Sequence, residues 1–285
     1  MSLFLKRNLK LYFRDKSAVF FSLLSVFIII GLYATFLGDA WLSGDLQGLP
    51  DAEFLMNSWL LSGLLSVASV TTTMGAFGVM IDDKVKKIDY DFYASPAKKS
   101  RLTAGYLGSA LAIGVIMSFV TFAVVEAYIL LQGGRLPGAA ALCKSAGLIL
   151  LATMANTSLV CFMTSFFKSQ QAFGTASTII GTLIGFLTGI YMPIGSLPAS
   201  VQTVIKAFPI SHSAVLFRQV LMEEPLSVTF AGADAYVAGF KEFMGVTYSF
   251  GGETLPPWAS VVILLVTAAV FFGLSVLNFS RSQKH

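Results

Sequence analysis

Residues 59–81 read WLLSGLLSVASVTTTMGAFGVMI, and residues 82–101 read DDKVKKIDYDFYASPAKKSR. The first stretch contains no charged residue and is long enough for a membrane-spanning helix, which needs about 20 apolar residues. The second stretch contains six lysines and arginines, and basic loops lie preferentially on the cytoplasmic side of a membrane. Together the two stretches predict a spanning helix followed by a cytoplasmic loop.

The composition of the whole chain agrees with this interpretation. Hydrophobic residues make up 55% of the sequence and charged residues 12%. Soluble domains carry about 25% charged residues, so the apolar excess of this chain requires lipid contact. We therefore expect an all-α integral membrane protein that forms a single transmembrane domain over residues 1–285.

Six stretches are apolar and long enough to span a bilayer. We expect six transmembrane helices over Ser17–Leu37, Trp59–Ile81, Leu102–Leu131, Ala139–Phe166, Ala172–Met192 and Pro257–Phe279.

The basic residues divide unevenly among the loops that these six spans define. Fourteen of the 19 lysines and arginines fall before the first span, in the 82–101 loop, between the fourth and fifth spans, or after the sixth. These four segments share one side only if the number of spans is six. The positive-inside rule then predicts a protein of the plasma membrane, prokaryotic in type, with both termini in the cytoplasm.

Two further segments are predicted to contact the membrane without crossing it. Residues 1–16 combine an apolar face with basic residues on the other faces, a pattern typical of a helix that lies in the membrane interface. Residues 193–256 contain three prolines and a short apolar series at helical spacing. We expect a re-entrant or interfacial helical segment there on the outer side, followed by an exposed cap over residues 223–256.

The sequence carries no enzyme signature. It lacks GxxxxGK[ST], HExxH, CxxC, GxSxG and GxGxxG, so we expect no catalytic residue, no metal and no cofactor in this chain, and no nucleic-acid partner. Glu126 is the only carboxylate inside a predicted span. It either reaches the nearby membrane interface or has a function, because intramembrane acids are often functional.

Two predicted spans carry a stripe of small and hydroxyl-bearing residues. Such stripes allow close helix packing, so ordinary packing, a dimer seam and a helix-lined translocation path are alternative interpretations. A path of this kind, without charges, suits an amphipathic cargo. The residues are Ser62, Ser66, Ser69 and Thr73 in the second span, and Thr178, Gly181, Gly185 and Thr188 in the fifth.

The loop and the proline-rich segment together resemble the membrane subunit of ABC transporters of the type-2 permease family. In the loop, the acidic Asp89, the apolar Phe92 and Tyr93, and Ser95-Pro96 match the family pattern, whereas Lys87-Ile88 stands where the family has Gly-Thr. The second match is the more specific, and its residues would form an outer gate segment: Pro193, Leu197, Pro198, Pro209 and Arg218.

The resemblance implies a permease subunit that acts as an exporter of an amphipathic small molecule, drug or peptide. Two permease subunits, identical or sister chains, would associate with two separate ATPase subunits, which bind ATP and Mg²⁺. The 82–101 loop would form a coupling helix that docks into the ATPase. The residues implied in this coupling are Lys87, Ile88, Asp89, Phe92, Tyr93, Ser95 and Pro96.

Several alternatives remain compatible with the sequence. The cargo could be a lipid or a polysaccharide precursor instead. A secondary transporter without an ATPase is less favoured, since buried charges for ion coupling are nearly absent and no internal repeat is evident. A membrane enzyme acting on lipids lacks a pair of acids, and a non-transporting scaffold is the last alternative.

Overall fold

The computed structural model describes residues 2–37, 46–88, 90, 92 and 99–281. This part of the chain is helical except for a short hairpin and the connecting loops. The elements are α1 (Ser2–Arg14), α2 (Lys16–Leu32, continued by a π-helical turn Tyr33–Leu37), α3 (Ala52–Val85), α4 (Lys99–Leu131), α5 (Ala139–Thr164), α6 (Gln170–Leu187), a 3-10 turn (Ile194–Ser196), α7 (Ala199–Ala207), α8 (Pro209–Leu221), α9 (Glu223–Thr229), α10 (Asp234–Phe243), β1 (Ser249–Phe250), β2 (Glu253–Thr254) and α11 (Pro257–Arg281).

Five helices in the described part of the chain are long and apolar enough to cross a membrane: α2, α3, α4, α5 and α11. They confirm five of the six predicted spans and the all-α class. The remaining prediction, Ala172–Met192, falls on α6, which is 18 residues long and begins with two glutamines. Because these glutamines and several threonines lower its hydropathy, α6 is not among the five, and the sixth span stays a prediction.

The central element is α3, which packs against α2, α4, α5, α6 and α8. It is 34 residues long, and a helix of that length extends about 50 Å. It begins at Ala52, seven residues before the predicted start at Trp59. It ends at Val85, four residues after the predicted end at Ile81, and α9 also packs against it.

The segment that precedes the last helix is mostly helical and is partly buried. α8 packs against α3, α5 and α11, and His212 of α8 lies 3.0 Å from the Ser260 hydroxyl of α11. The expected cap is exposed at Tyr236 and Phe250. It is not exposed throughout, however, because Met244, like Val246 and Tyr248, belongs to the buried core.

The predicted N-terminal helix is present as α1, which ends one residue before Asp15 caps the start of α2. Tyr12 of α1 is buried and donates a 2.7 Å hydrogen bond to Ser22 of α2. We call the end of the bundle that contains Arg7 and Asp83 the loop end. The opposite end, where Arg135 pairs with Asp51 and with α9, is the cap end.

Candidate functional site

A buried ion pair lies at the loop end, beside the predicted coupling loop. The Arg7 guanidinium of α1 donates two hydrogen bonds of 2.8 Å to the two carboxylate oxygens of Asp83 in α3. The Tyr106 hydroxyl of α4 donates a third, at 2.7 Å. Asp83 is 4% exposed in its side chain, and bidentate charge-assisted bonds are the strongest of protein hydrogen bonds. One carboxylate therefore joins α1, α3 and α4.

Phe92, a predicted docking residue, packs against its own chain. Its ring meets the Phe4 ring edge-on at 5.1 Å, and the Arg7 guanidinium carbon lies 5.2 Å from its centroid. The start of the loop is thus joined to α1 by an aromatic and a cation–π contact. Four residues of the predicted coupling set lie outside the described residues: Asp89, Tyr93, Ser95 and Pro96.

Of the predicted apolar docking residues, the structure describes Ile88 and Phe92, and it adds two exposed groups beside them. Tyr90 is 66% exposed and Val85 is 48% exposed, whereas Ile88 is half-buried and lines a cavity with α1. The predicted docking role of Ile88, Phe92 and Tyr93 stays a prediction, and Tyr93 lies outside the described residues. Tyr90 was not among the predicted residues, and its signal in the sequence is an aromatic residue between two acids.

Lys87 has a left-handed backbone, with φ 58°, at the position where the family pattern has glycine. For a residue with a Cβ, this conformation lowers the stability of the fold by about 1 kcal/mol or more. We expect Lys87→Gly to raise the free energy of unfolding by up to about 1 kcal/mol after the entropy cost of glycine. The thermal unfolding midpoint of the purified chain should rise accordingly. Lys86 has φ −80° and serves as the matched control, so Lys86→Gly should lower the midpoint. Equal effects of the two glycines would contradict the strain at Lys87.

Arg218 forms the most deeply buried charged site of the described residues. It is 0% exposed, and its guanidinium lies over the Trp59 ring of α3 at 5.0 Å. It donates hydrogen bonds to the carbonyls of Thr188 at 2.8 Å, Gly189 at 3.2 Å and Gly245 at 3.3 Å. Within the described residues, no carboxylate forms an ion pair with it.

The carbonyls that hold Arg218 belong to the carboxyl ends of two helices. Gly189 lies two residues after the end of α6 and has φ 66°. Gly245 lies two residues after the end of α10 and has φ 69°. In both, the next amide closes the helix on a carbonyl five residues back: Ile190 on Gly185, and Val246 on Lys241. Helix carboxyl ends carry partial negative charge, so two of them replace a carboxylate partner. Burial lowers the pKa of Arg218 to about 10, which leaves it protonated at neutral pH.

The other predicted outer-gate residues form the chain path that leads to Arg218. Pro193 and Pro198 precede the 3-10 turn and α7, and Pro209 is the first residue of α8. Proline favours helix starts because its fixed φ is already helical and its missing N–H needs no partner there. Leu197 is half-buried in the cluster around Ile205 and Tyr248.

The two predicted small-residue stripes have different surroundings. The α3 series is at most 1% exposed and contacts α5 and α8. Asn156, for example, donates a 2.7 Å hydrogen bond to Ser69, and the hydroxyls of Ser66 and Ser213 are bonded to each other. Ser62 and Thr73 bond to carbonyls of their own helix. In the described residues this stripe contacts neighbouring helices of the same chain, and the choice between packing, a dimer seam and a path stays a prediction.

In α6 the stripe is divided along its length. Gly185 and Thr188 are buried near the cap end, whereas Thr178 is exposed and Gly181 is half-buried. Thr178 and Gly181 line a cavity of about 600 Å³ between α2, α3 and α6. The α3 residues of this cavity are Thr71, Met74 and Gly75, on a face that the sequence prediction missed.

A second cavity, of about 650 Å³, lies between α1, α3 and the start of α6 at the loop end. The two cavities share Ala18 and Gly75 in their linings and are therefore neighbours, and we call the two together the α2–α6 groove. Charged residues line its loop-end half, among them Arg7, Arg14 and Asp82. The half toward the cap end has only apolar, aromatic, glycine and hydroxyl residues.

Glu126 is buried within the protein. It is 4% exposed, and neither of its carboxylate oxygens has a hydrogen-bond partner among the described residues. It also lies outside the α2–α6 groove. Both of its expected roles stay predictions, and the structure does not bring Glu126 to the other predicted site residues that line this groove.

Comparison with known families gives one match. The sequence profile of the family described as ABC-2 type transporter matches residues 1–222. The matched residues include α1 to α8, and therefore both the ion pair at the loop end and Arg218. No curated protein sequence matches the chain at a significant level.

Proposed function

The chain belongs to the ABC-2 type transporter family, and on that premise we propose that it is the permease subunit of an ATP-driven exporter of an amphipathic small molecule, drug or peptide. ATP is hydrolysed by two separate subunits, and a second permease subunit, identical or a sister chain, completes the membrane core. The observation that carries this proposal is the Arg7–Asp83 pair, because it joins α1, against which Phe92 of the loop packs, to the central helix α3.

Within this proposal α6 is the fifth of six spans. Its 18 residues extend about 27 Å, close to the thickness of a bilayer core, and Ile179, Leu183 and Phe186 are exposed on it as lipid-facing residues are. Six spans place the loop end in the cytoplasm and the cap end outside. The 193–221 segment then enters the outer leaflet from the exit side, and α1 lies in the inner membrane interface.

The contacts at the loop end suggest how force reaches the membrane helices. An ATPase that moves the loop moves Phe92, and Phe92 packs on Phe4 and Arg7 of α1. Arg7 is held by Asp83 of α3, so α1 and α3 move with the loop. Since α3 forms one wall of the α2–α6 groove, motion of the loop changes the width of that groove.

The docking surface in this proposal consists of the exposed loop residues Val85 and Tyr90. Both are apolar and exposed next to Lys86 and Lys87, and an apolar anchor inside a charged rim is typical of a protein interface. Phe92 acts behind this surface, through α1.

A pull-down with the partner ATPase tests the docking surface. We expect Tyr90→Asp to abolish co-purification of the ATPase while leaving the unfolding midpoint of the chain unchanged, because Tyr90 is exposed. Phe92→Asp should lower the unfolding midpoint, since it places a charge against Phe4. An intact complex with Tyr90→Asp, and loss of it with Phe92→Asp at an unchanged midpoint, would contradict this assignment.

A further inference from the structure

We propose that the outer face of α1 binds the anionic headgroups of acidic phospholipids in the inner leaflet, through Lys6, Lys10 and Arg14. By the outer face we mean Leu3, Lys6, Lys10, Phe13 and Arg14, all of which are exposed. This inference rests on the proposed function for one point, which is the position of α1 at the inner membrane interface.

The apolar side of α1 packs against its own chain and is not free to contact lipid. The Phe4 ring lies 4.9 Å from the Tyr106 ring of α4, and Tyr12 is buried. Asn8, between them, is buried as well and donates a 3.1 Å hydrogen bond to the Ser109 hydroxyl of α4. The side of α1 that is left for the membrane is therefore the outer face, where two apolar residues stand among three cations.

The three cations of the outer face follow one another at four-residue intervals. Residues four apart are neighbours on a helix, and like charges at this spacing repel each other. No acid separates them, since Ser2–Arg14 contains neither Asp nor Glu. Negative charge from outside the chain relieves this repulsion, and a membrane surface rich in acidic lipids supplies such charge.

The carboxylates near α1 do not cancel this positive charge. The cavity at the loop end is balanced, because three cations and three carboxylates line it: Arg7, Arg14, Lys86, Asp15, Asp82 and Asp83. Lys6, Lys10 and Lys16 are exposed and lie outside that lining. Within the part of the chain that the structure describes, these three lysines form no ion pair. They remain in excess even when each carboxylate of the cavity is set against a cation there, so the bound headgroup is an anion.

The apolar residues of the outer face favour a lipid surface over a soluble anion. Leu3 is 80% exposed and Phe13 is 38% exposed, and the two lysines of this face lie between them in the sequence. In an interfacial helix such side chains enter the boundary of the acyl chains, while lysine ammonium groups reach the headgroups. A free phosphate would leave both apolar side chains in water.

Quenching of an introduced tryptophan by brominated lipids tests the inference. Phe13→Trp places the reporter on the outer face, and the chain with Phe13 gives the signal of the natural tryptophans, which is subtracted. The full chain is reconstituted without an ATPase into phosphatidylcholine vesicles that contain brominated phosphatidylglycerol or brominated phosphatidylcholine. We expect phosphatidylglycerol to bind about threefold more tightly or better. This preference should nearly vanish in about 1 M salt, because salt screens exposed charges.

Two double variants of the reporter chain locate the lipid preference. Lys6→Gln with Lys10→Gln should remove most of it. Lys144→Gln with Lys241→Gln removes the same charge from α5 and α10, away from the loop end, and should preserve it. Glutamine is about as good a helix former as lysine, and Lys6 and Lys10 are exposed, so we expect the first variant to unfold at the midpoint of the reporter chain.

Three results would overturn the inference: equal binding of the two lipids, a preference that survives in the Lys6 and Lys10 variant, or a preference lost equally in the control variant. Equal binding together with loss of the ATPase from the Lys6 and Lys10 variant in the pull-down would assign the outer face to the ATPase instead. Because the vesicles contain no ATPase, the lipid measurement is independent of the proposed function. A chain without the preference that retains its ATPase loses only this inference, whereas a chain with the preference that recruits no ATPase contradicts only the proposed function.

Discussion

Arg218→Ala is expected to lower the free energy of unfolding by about 3–5 kcal/mol, which corresponds to a drop of roughly 6–20 °C in the unfolding midpoint. The substitution leaves the carbonyls of Thr188, Gly189 and Gly245 without their donor. It also opens a cavity beneath Trp59. Scanning fluorimetry of the purified chain in detergent measures the midpoint, and Trp59, whose indole packs on Arg218, contributes to the signal.

Two other arginine variants serve as controls for this result. Arg218→Lys keeps the charge, but one ammonium group cannot span the ends of both α6 and α10, so its midpoint should fall between those of the wild type and the alanine variant. Arg135→Ala removes an arginine with 48% side-chain exposure and two ion pairs. Exposed ion pairs contribute about 1 kcal/mol or less to stability, so the unfolding midpoint of this variant should stay close to that of the wild type. An effect of Arg135→Ala equal to that of Arg218→Ala would contradict a specific role for the buried arginine.

Breaking the Arg7–Asp83 pair is expected to have the second largest effect. Arg7→Gln leaves a carboxylate that is 4% exposed with only Tyr106 as partner, and unpaired buried charges cost several kcal/mol. Because the Arg7 side chain is 30% exposed, solvent reduces this cost. We expect Arg7→Gln to lower the free energy of unfolding by about 2–3 kcal/mol. Arg7→Gln with Asp83→Asn should be more stable than the sum of the single changes predicts, with a coupling energy of about 2 kcal/mol.

The same variants separate coupling from stability. In the proposed mechanism, the double variant folds but no longer transmits force from α1 to α3, so ATP turnover should continue while ATP-driven flux falls at least tenfold. Lys86→Gln removes a pair in which both side chains are about half exposed or more and is the matched control. A double variant with unchanged flux would contradict the role of the pair in coupling.

The sequence predicted the features that depend on hydropathy and local backbone preference. Five spans, α1 and the helix starts at prolines were recognisable because lipid, an amphipathic face and the fixed φ of proline each leave a mark in consecutive residues. The left-handed Lys87 lies where the family pattern has glycine, so even this departure marked a real backbone requirement. Arg218 was recognised only through the resemblance to the family, since nothing local shows that two helix ends approach it.

What could not be predicted depends on contacts between distant segments. Arg7 and Asp83 are 76 residues apart, and Asp83 looked like one acid among several in a charged loop. The hydroxyls of α3 formed a convincing stripe, but a stripe has the same pattern whether it faces a path or a neighbouring helix. Only the packing of α5 and α8 on α3 showed that the opposite face, with Thr71 and Gly75, lines the groove.

ATP-driven accumulation in inside-out vesicles tests the central claim most directly. The vesicles carry this chain with its ATPase, and the transported compounds are a panel of amphipathic drugs, dyes and peptides. The account predicts uptake that requires hydrolysable ATP, survives a protonophore and is lost in Tyr90→Asp. Uptake that persists without ATP and collapses with the protonophore would identify a secondary transporter and contradict the account.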